Sequence, residues 1–180
     1  MREALPLSID PRRLAELKRE FVGTLTLARL PRLAQVVLAP TDTAAGYVGY
    51  KLAFHRDASH RDLVHGEVSA TLGLRCERCN EMLQLPVVSE FALAVVHGLD
   101  EAAQLPEGYE PLLPEEATLD PATLVEDELL LAIPAVPRHA AGTCRAPQYV
   151  SADARAGAEP DAAPVDDNPF AVLQALKRQH

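Results

Sequence analysis

Two stretches of alternating polarity meet at the short turn "CERCNE" (76–81), and this arrangement restricts the fold more than any other feature of the chain. Upstream, "LVHGEVSATLGLRC" sets Val64, Gly66, Val68, Ala70, Leu72 and Leu74 on one side, with His65, Glu67, Ser69, Thr71 and Gly73 on the other. Side chains that alternate in this way belong to a strand with one buried face. Downstream, "MLQLPVVSEFALAVVHG" is extended by the same pattern. The two runs are expected to pair as a long antiparallel hairpin carrying Cys76 and Cys79 at its tip.

The remaining elements follow from similar signals. "ALPLSID" (4–10) alternates and reads as a short strand, and Asp10-Pro11 then supplies a helix N-cap with proline at the first helical position, ahead of "RRLAELKREF". "FVGTLTLARL" (21–30) and "GYVGYKLAFHRD" (46–57) return to period two and read as strands, while "RLAQVVL" fits either a short helix or a strand. The proline-punctuated acidic stretch 98–112 reads as a loop or lid. A second Asp-Pro pair, Asp120-Pro121, opens the clearest helix, with Leu124, Val125, Glu128, Leu129, Ala132 and Ile133 at helical spacing up to Pro134. "AVPRHAAGTC" follows as an extended or turn segment.

Residues 147–167 are small, acidic and poor in large apolar groups, so they cannot bury enough surface to offset chain entropy and are expected to form a disordered linker. "NPFAVLQALKRQ" then places Phe170, Leu173 and Leu176 on one stripe of a short helix with Asn168 as N-cap. Three turns are too few to stand alone, so this helix is expected to dock on a partner or on its own domain. The expected organisation is a single α+β domain over 1–146, a mostly antiparallel sheet with a few short helices, then the linker 147–167 and a docking peptide 168–180.

Charge bounds the function. Residues 1–90 hold 12 Lys/Arg against 11 Asp/Glu, whereas residues 91–180 hold 5 against 15. A protein gripping nucleic acid with its whole surface needs a basic excess to release counterions, so RNA contact here is expected to be local, through Arg75 and Arg78, or made through a protein partner. The longest apolar run, "LLLAIPAV" (129–136), is broken by Pro134 and falls short of the roughly 20 residues that span a bilayer. With three cysteines and no leader-like start, the expectation is a reduced cytoplasmic protein.

Two cysteines at this spacing suit more than one chemistry. A thioredoxin-type pair begins a helix, where the dipole lowers the thiol pKa, and here the pair leaves a strand. A zinc knuckle needs a tight turn aiming two thiolates at one ion, plus two further ligands. His139 and Cys144 in "RHAAGTC" are the candidates, giving a site of three cysteines and one histidine. Reduced thiols at a turn, or a zinc ion shared between two copies of "CERC", fit the same residues. His55, His60, His65 and His97 fall on expected strands and turns and read as ordinary histidines. "EDE" (126–128) points three ways on a helix and reads as a solvated face. No phosphate-cradling glycine loop, nucleophile elbow or HExxH motif is present.

Taken in order, "LRCERCNEMLQLPV", "LVEDELLLAIPAVPRH" with a following cysteine, and the terminal "NPFAVLQALKR" resemble the bacterial YceD family of large ribosomal RNA subunit accumulation proteins, in its proteobacterial branch. The resemblance extends to the N-terminal "LPLSIDPRRLA". It maps the family's cysteine pair onto Cys76 and Cys79, and its later block onto Glu126, Asp127, Glu128, Pro134, Pro137 and His139. It implies a non-enzymatic factor that promotes accumulation or processing of large-subunit (23S) ribosomal RNA. The acidic half and the terminal helix would then engage a basic ribosomal protein or assembly factor on the precursor large subunit. A zinc-stabilised interaction module without a ribosomal role, and a thiol-disulfide enzyme, are the alternatives from other classes.

Overall fold

A computed structural model describes residues 5–38, 46–114 and 116–146. Five strands form one sheet in the order β1 (Glu20–Thr26), β2 (Tyr47–Arg56), β3 (Asp62–Arg75), β4 (Met82–Val95) and β5 (Glu110–Leu112). The first four are an antiparallel meander, and β5 joins β4 in parallel. The helices are short: α1 (Pro11–Glu16), α2 (Pro31–Val36), α3 (Leu99–Ala102) and α4 (Pro121–Ala132). The architecture is therefore α+β with a mostly antiparallel sheet.

Alternation decides which face is dry. Val48, Tyr50, Leu52 and Phe54 of β2 and Val64 and Val68 of β3 are all buried, while Lys51 and Glu67 between them face water. α1 and α4 cover the apolar face, contributing Ala15, Ala122, Val125 and Leu129 to the same core. Each begins with aspartate and proline for a physical reason. Asp10 Oδ1 accepts from the Arg12 and Arg13 amides at 3.0 and 3.1 Å, and Asp120 Oδ1 accepts from the Ala122 amide at 2.9 Å, while proline fills a position whose N–H would have no partner.

Several expectations need correction. Residues 4–10 do not form a strand: among the described ones, only Ile9 pairs, in a lone bridge to Leu119. That bridge sets the two Asp-Pro helix starts side by side. α1 ends at Glu16, and Lys18 turns the chain at φ 50° into β1. The acidic stretch 98–112 is not a bare loop, since it holds α3 and β5. Three-residue β5 is too short for a periodic signal, and main-chain pairing to β4 alone makes it a strand. "RLAQVVL" resolves as helix α2. The expected linker 147–167 and docking peptide 168–180 lie outside the described residues.

β3 and β4 stay paired from Leu63 and Ala94 to Arg75 and Met82, whereas the pairing of β3 with β2 ends at Ser69. The last six residues of β3, about 20 Å at the usual rise per residue, thus run beyond the pairing with β2. The Leu38 amide, just past α2, donates to the Gly73 carbonyl at 2.7 Å and steadies this extension. Residues 76–81 connect the two strands at its end.

Candidate metal centre

The tip is a hydrogen-bonded turn. The Cys76 amide donates to the Glu81 carbonyl at 2.9 Å and the Asn80 amide to the Cys76 carbonyl at 2.8 Å, closing the loop around Glu77, Arg78 and Cys79. Asn80 sits at φ 63°, a left-handed conformation that asparagine tolerates better than most residues. The turn leaves both thiols on its inner side, where Cys76 is fully buried and Cys79 half-buried.

The other half of the centre comes from the chain after α4. The Glu77 amide donates to the Pro137 carbonyl at 2.9 Å, which fixes the returning segment against the tip. A tight turn with Gly142 at φ 81° and the Thr143 amide on the Ala140 carbonyl at 3.2 Å then folds Cys144 back. His139 and Cys144 arrive beside the pair: Cys76 Sγ is 3.9 Å from Cys144 Sγ, and Cys79 Sγ is 3.4 Å from His139 Nδ1. One ligand atom from each of the four residues lies within 4.8 Å of all the others.

These separations suit a tetrahedral ion. With zinc–sulfur bonds of about 2.3 Å and zinc–nitrogen bonds of about 2.0 Å, tetrahedral edges are about 3.8 Å between sulfurs and about 3.5 Å between sulfur and nitrogen. Two of the six separations, 3.9 and 3.4 Å, match these edges, and the others lie within 4.8 Å. No disulfide joins the three thiols.

The surroundings favour negative sulfur. Burial opposes ionisation of Cys76, but the backbone amides of His139, Cys79 and Arg78 and the His139 side chain outweigh it and lower the thiol from 9.0 to about 5. Two of those donors are direct, since the Arg78 and His139 amides each lie 3.4 Å from Cys76 Sγ. The Arg78 guanidinium also donates to Cys144 Sγ at 3.7 Å. At Cys79 the Glu81 amide favours the thiolate, yet burial and the neighbouring Cys76 and Cys144 sulfurs prevail and raise the pKa. One thiolate thus makes its neighbour harder to ionise, a conflict that a divalent cation at the centre relieves.

The other histidines lie elsewhere. His55 and His65 meet edge to face at 4.7 Å, with Tyr109 at 6.2 Å from His65, and His97 Nδ1 is 3.1 Å from an Arg12 nitrogen. Arg75 is exposed at the end of β3 and Arg78 is half-buried over Cys144. Phe170, Leu173 and Leu176 lie outside the described residues.

The reading of "EDE" as a solvated face is wrong for Glu126, which is 4% exposed. Its Oε1 accepts from the Arg32 and Leu33 amides at 2.6 and 3.0 Å, and its Oε2 from Arg32 Nε at 2.9 Å. Helix α2 starts after Leu30, whose side chain cannot cap, so a carboxylate from α4 satisfies its free N–H groups. A local sequence pattern cannot show this, because donor and acceptor are more than 90 residues apart. Asp127 pairs with Arg32 at 2.7 Å, and Glu128 is half-buried, its carboxyl raised by burial and then by Glu110, against a Ser89 hydrogen bond.

Comparison with known proteins places this arrangement. The profile of the family described as "Large ribosomal RNA subunit accumulation protein YceD" matches residues 64–177, a span that holds most of β3, all of β4 and α4, and all four residues of the centre. A Haemophilus influenzae protein of the same name is 36% identical over 177 residues, covering 97% of each chain. No solved structure matches. On a profile match over most of its length and a relative aligned nearly end to end, the chain belongs to the YceD family of large ribosomal RNA subunit accumulation proteins.

Proposed function

We propose that this protein is a non-enzymatic cytoplasmic factor promoting the accumulation and processing of large-subunit (23S) ribosomal RNA and assembly of the large ribosomal subunit. The observation that carries this reading is the 36% identity to a relative of that name across 97% of both chains. A zinc ion held by Cys76, Cys79, His139 and Cys144 would pin the hairpin tip to the segment after α4, a closed structural site with four protein ligands. The donor set, its tetrahedral spacing and the N–H donors aimed at Cys76 support that part. Full burial of Cys76 weighs against a thiol-disulfide enzyme, whose attacking sulfur must be reached.

The acidic half of the chain would meet a basic ribosomal protein or assembly factor on the precursor particle, with Phe170, Leu173 and Leu176 of the terminal peptide as the anchor. Direct RNA contact at the hairpin tip would include Arg75 and Arg78. No helix of the described residues is long and apolar enough to cross a membrane.

The test is to purify the native protein without chelators from sucrose-gradient fractions, record where it sediments, and quantify zinc. Co-migration with precursor large subunits at one zinc per chain is expected. Removal of residues 168–180 should weaken that association, and unchanged co-sedimentation would exclude the tail as anchor. Zinc-loaded protein absent from every ribosomal fraction would favour an interaction module without a ribosomal role.

A further inference from the structure

Each of the four residues of the centre has an arginine as its immediate chain neighbour: Arg75 before Cys76, Arg78 before Cys79, Arg138 before His139 and Arg145 after Cys144. In sequence these are two pairs about 60 residues apart. Folding joins them, because the ligand atoms of the four lie within 4.8 Å of one another and adjacent Cα atoms are only about 3.8 Å apart. Arg75, Arg138 and Arg145 are exposed, and none of the three makes an ion pair among the described residues. Arg29, Arg32, Arg56 and Arg61, in contrast, all pair with carboxylates.

The contrast with the rest of the chain is large. Segments 75–81 and 137–146 hold four arginines against Glu77 and Glu81, which leaves 13 Lys/Arg against 24 Asp/Glu elsewhere. A local cationic tip on a chain of net charge −9 is a poor device for non-specific adhesion and a good one for bringing one end of the molecule to an anion. All four cations are arginine, whose planar fork holds phosphate oxygens bidentately.

We infer that the hairpin tip is an RNA-binding point at which Arg75, Arg138 and Arg145, with Arg78 braced on Cys144, grip the phosphate backbone of ribosomal RNA. The inference rests on the ribosomal reading and names the partner of that same centre. The folded centre is what assembles the arginines, so binding depends on an intact tip and not on charge alone.

The experiment measures binding of the full-length, zinc-loaded chain to an in vitro transcript of large-subunit ribosomal RNA between 50 and 200 mM salt. The comparison is a triple variant, Arg75→Gln with Arg138→Gln and Arg145→Gln, that leaves Arg78 in place. Three phosphate contacts give a slope of about −2.1 to −2.7 in log affinity against log salt, a loss of roughly 20- to 40-fold over this range. The triple variant is expected to lose that component while keeping its zinc and its thermal midpoint. A variant that binds the transcript with the wild-type slope overturns the inference. So does a wild-type protein that ignores the transcript yet co-sediments with precursor subunits, because the tip or another face would then hold a protein. If wild type binds the transcript through these arginines but never co-sediments, the RNA contact stands and the ribosomal reading fails.

Discussion

Replacing Glu126 with alanine removes the acceptor for two amides at once, the partly buried one of Arg32 and the buried one of Leu33, at 2.6 and 3.0 Å. These are the second and third positions of α2, the donors that an N-cap side chain ordinarily serves, and Leu30 offers nothing in its place. Losing a cap costs about 1 kcal/mol. Leaving the buried Leu33 donor without a partner adds about 1–3 kcal/mol. The combined expectation is about 3 kcal/mol, which for a domain of about 140 residues lowers the thermal midpoint by about 10 °C. Glu126→Gln keeps one carbonyl acceptor toward those amides but turns an amide nitrogen toward Arg32 Nε, so it should lose less, about 1 kcal/mol. Urea denaturation of the two variants and wild type, at equal zinc content, measures both steps. An alanine variant within about 0.5 kcal/mol of wild type, or a glutamine variant as weak as alanine, would refute the view that a carboxylate from α4 caps α2.

Other perturbations probe the centre and the sheet. A strong chelator should lower the thermal midpoint of wild type, and Cys144→Ser should start low and no longer respond to it; a chelator-insensitive wild type would show that the tip holds itself together without metal. Glu128→Gln should stabilise the fold at pH 7, because a carboxyl raised in the folded state, first by burial and then by Glu110, opposes folding above its folded pKa and has no effect below the ordinary carboxylate range. Thermal midpoints of both proteins between pH 7 and pH 3.5 should therefore converge on acidification, and a constant difference would place the effect elsewhere. Gly66→Ala would push a methyl group into the Phe91 ring on the paired strand, at a cost of about 1–3 kcal/mol, and Phe91→Leu in the same chain should restore part of the loss.

Much of the architecture was legible because its signals are local. Strands β2, β3 and β4 announce themselves by alternation, and the faces read from Val48 to Phe54 and from Val64 to Leu74 are the faces that are buried. α4 is equally plain, since an Asp-Pro start and a period of 3.6 are properties of neighbouring residues. The short strand expected at residues 4–10 shows where alternation alone falls short. Alternation over seven residues is common by chance, and without a partner strand Ile9 makes only a single bridge. Strand β5 fails in the opposite sense: it has no pattern of its own and exists because β4 presents an edge.

The sequence by itself determined a one-faced sheet, a helix after Asp120-Pro121 and a pair of thiols in a turn two residues apart, because each depends on residues within a turn or a strand of one another. Tertiary structure alone decided which distant groups meet. It carried His139 and Cys144 across some 60 residues to the hairpin tip and drew an arginine in with each ligand residue. It also buried Glu126, which looks like one of three surface acids, at the start of a helix more than 90 residues away. Hydrophobic patterning specifies the face a residue takes but not the partner it finds there. That partner follows from the packing of α4 and its trailing segment against the sheet, where carboxylate and sulfur lone pairs must find N–H donors once water is excluded.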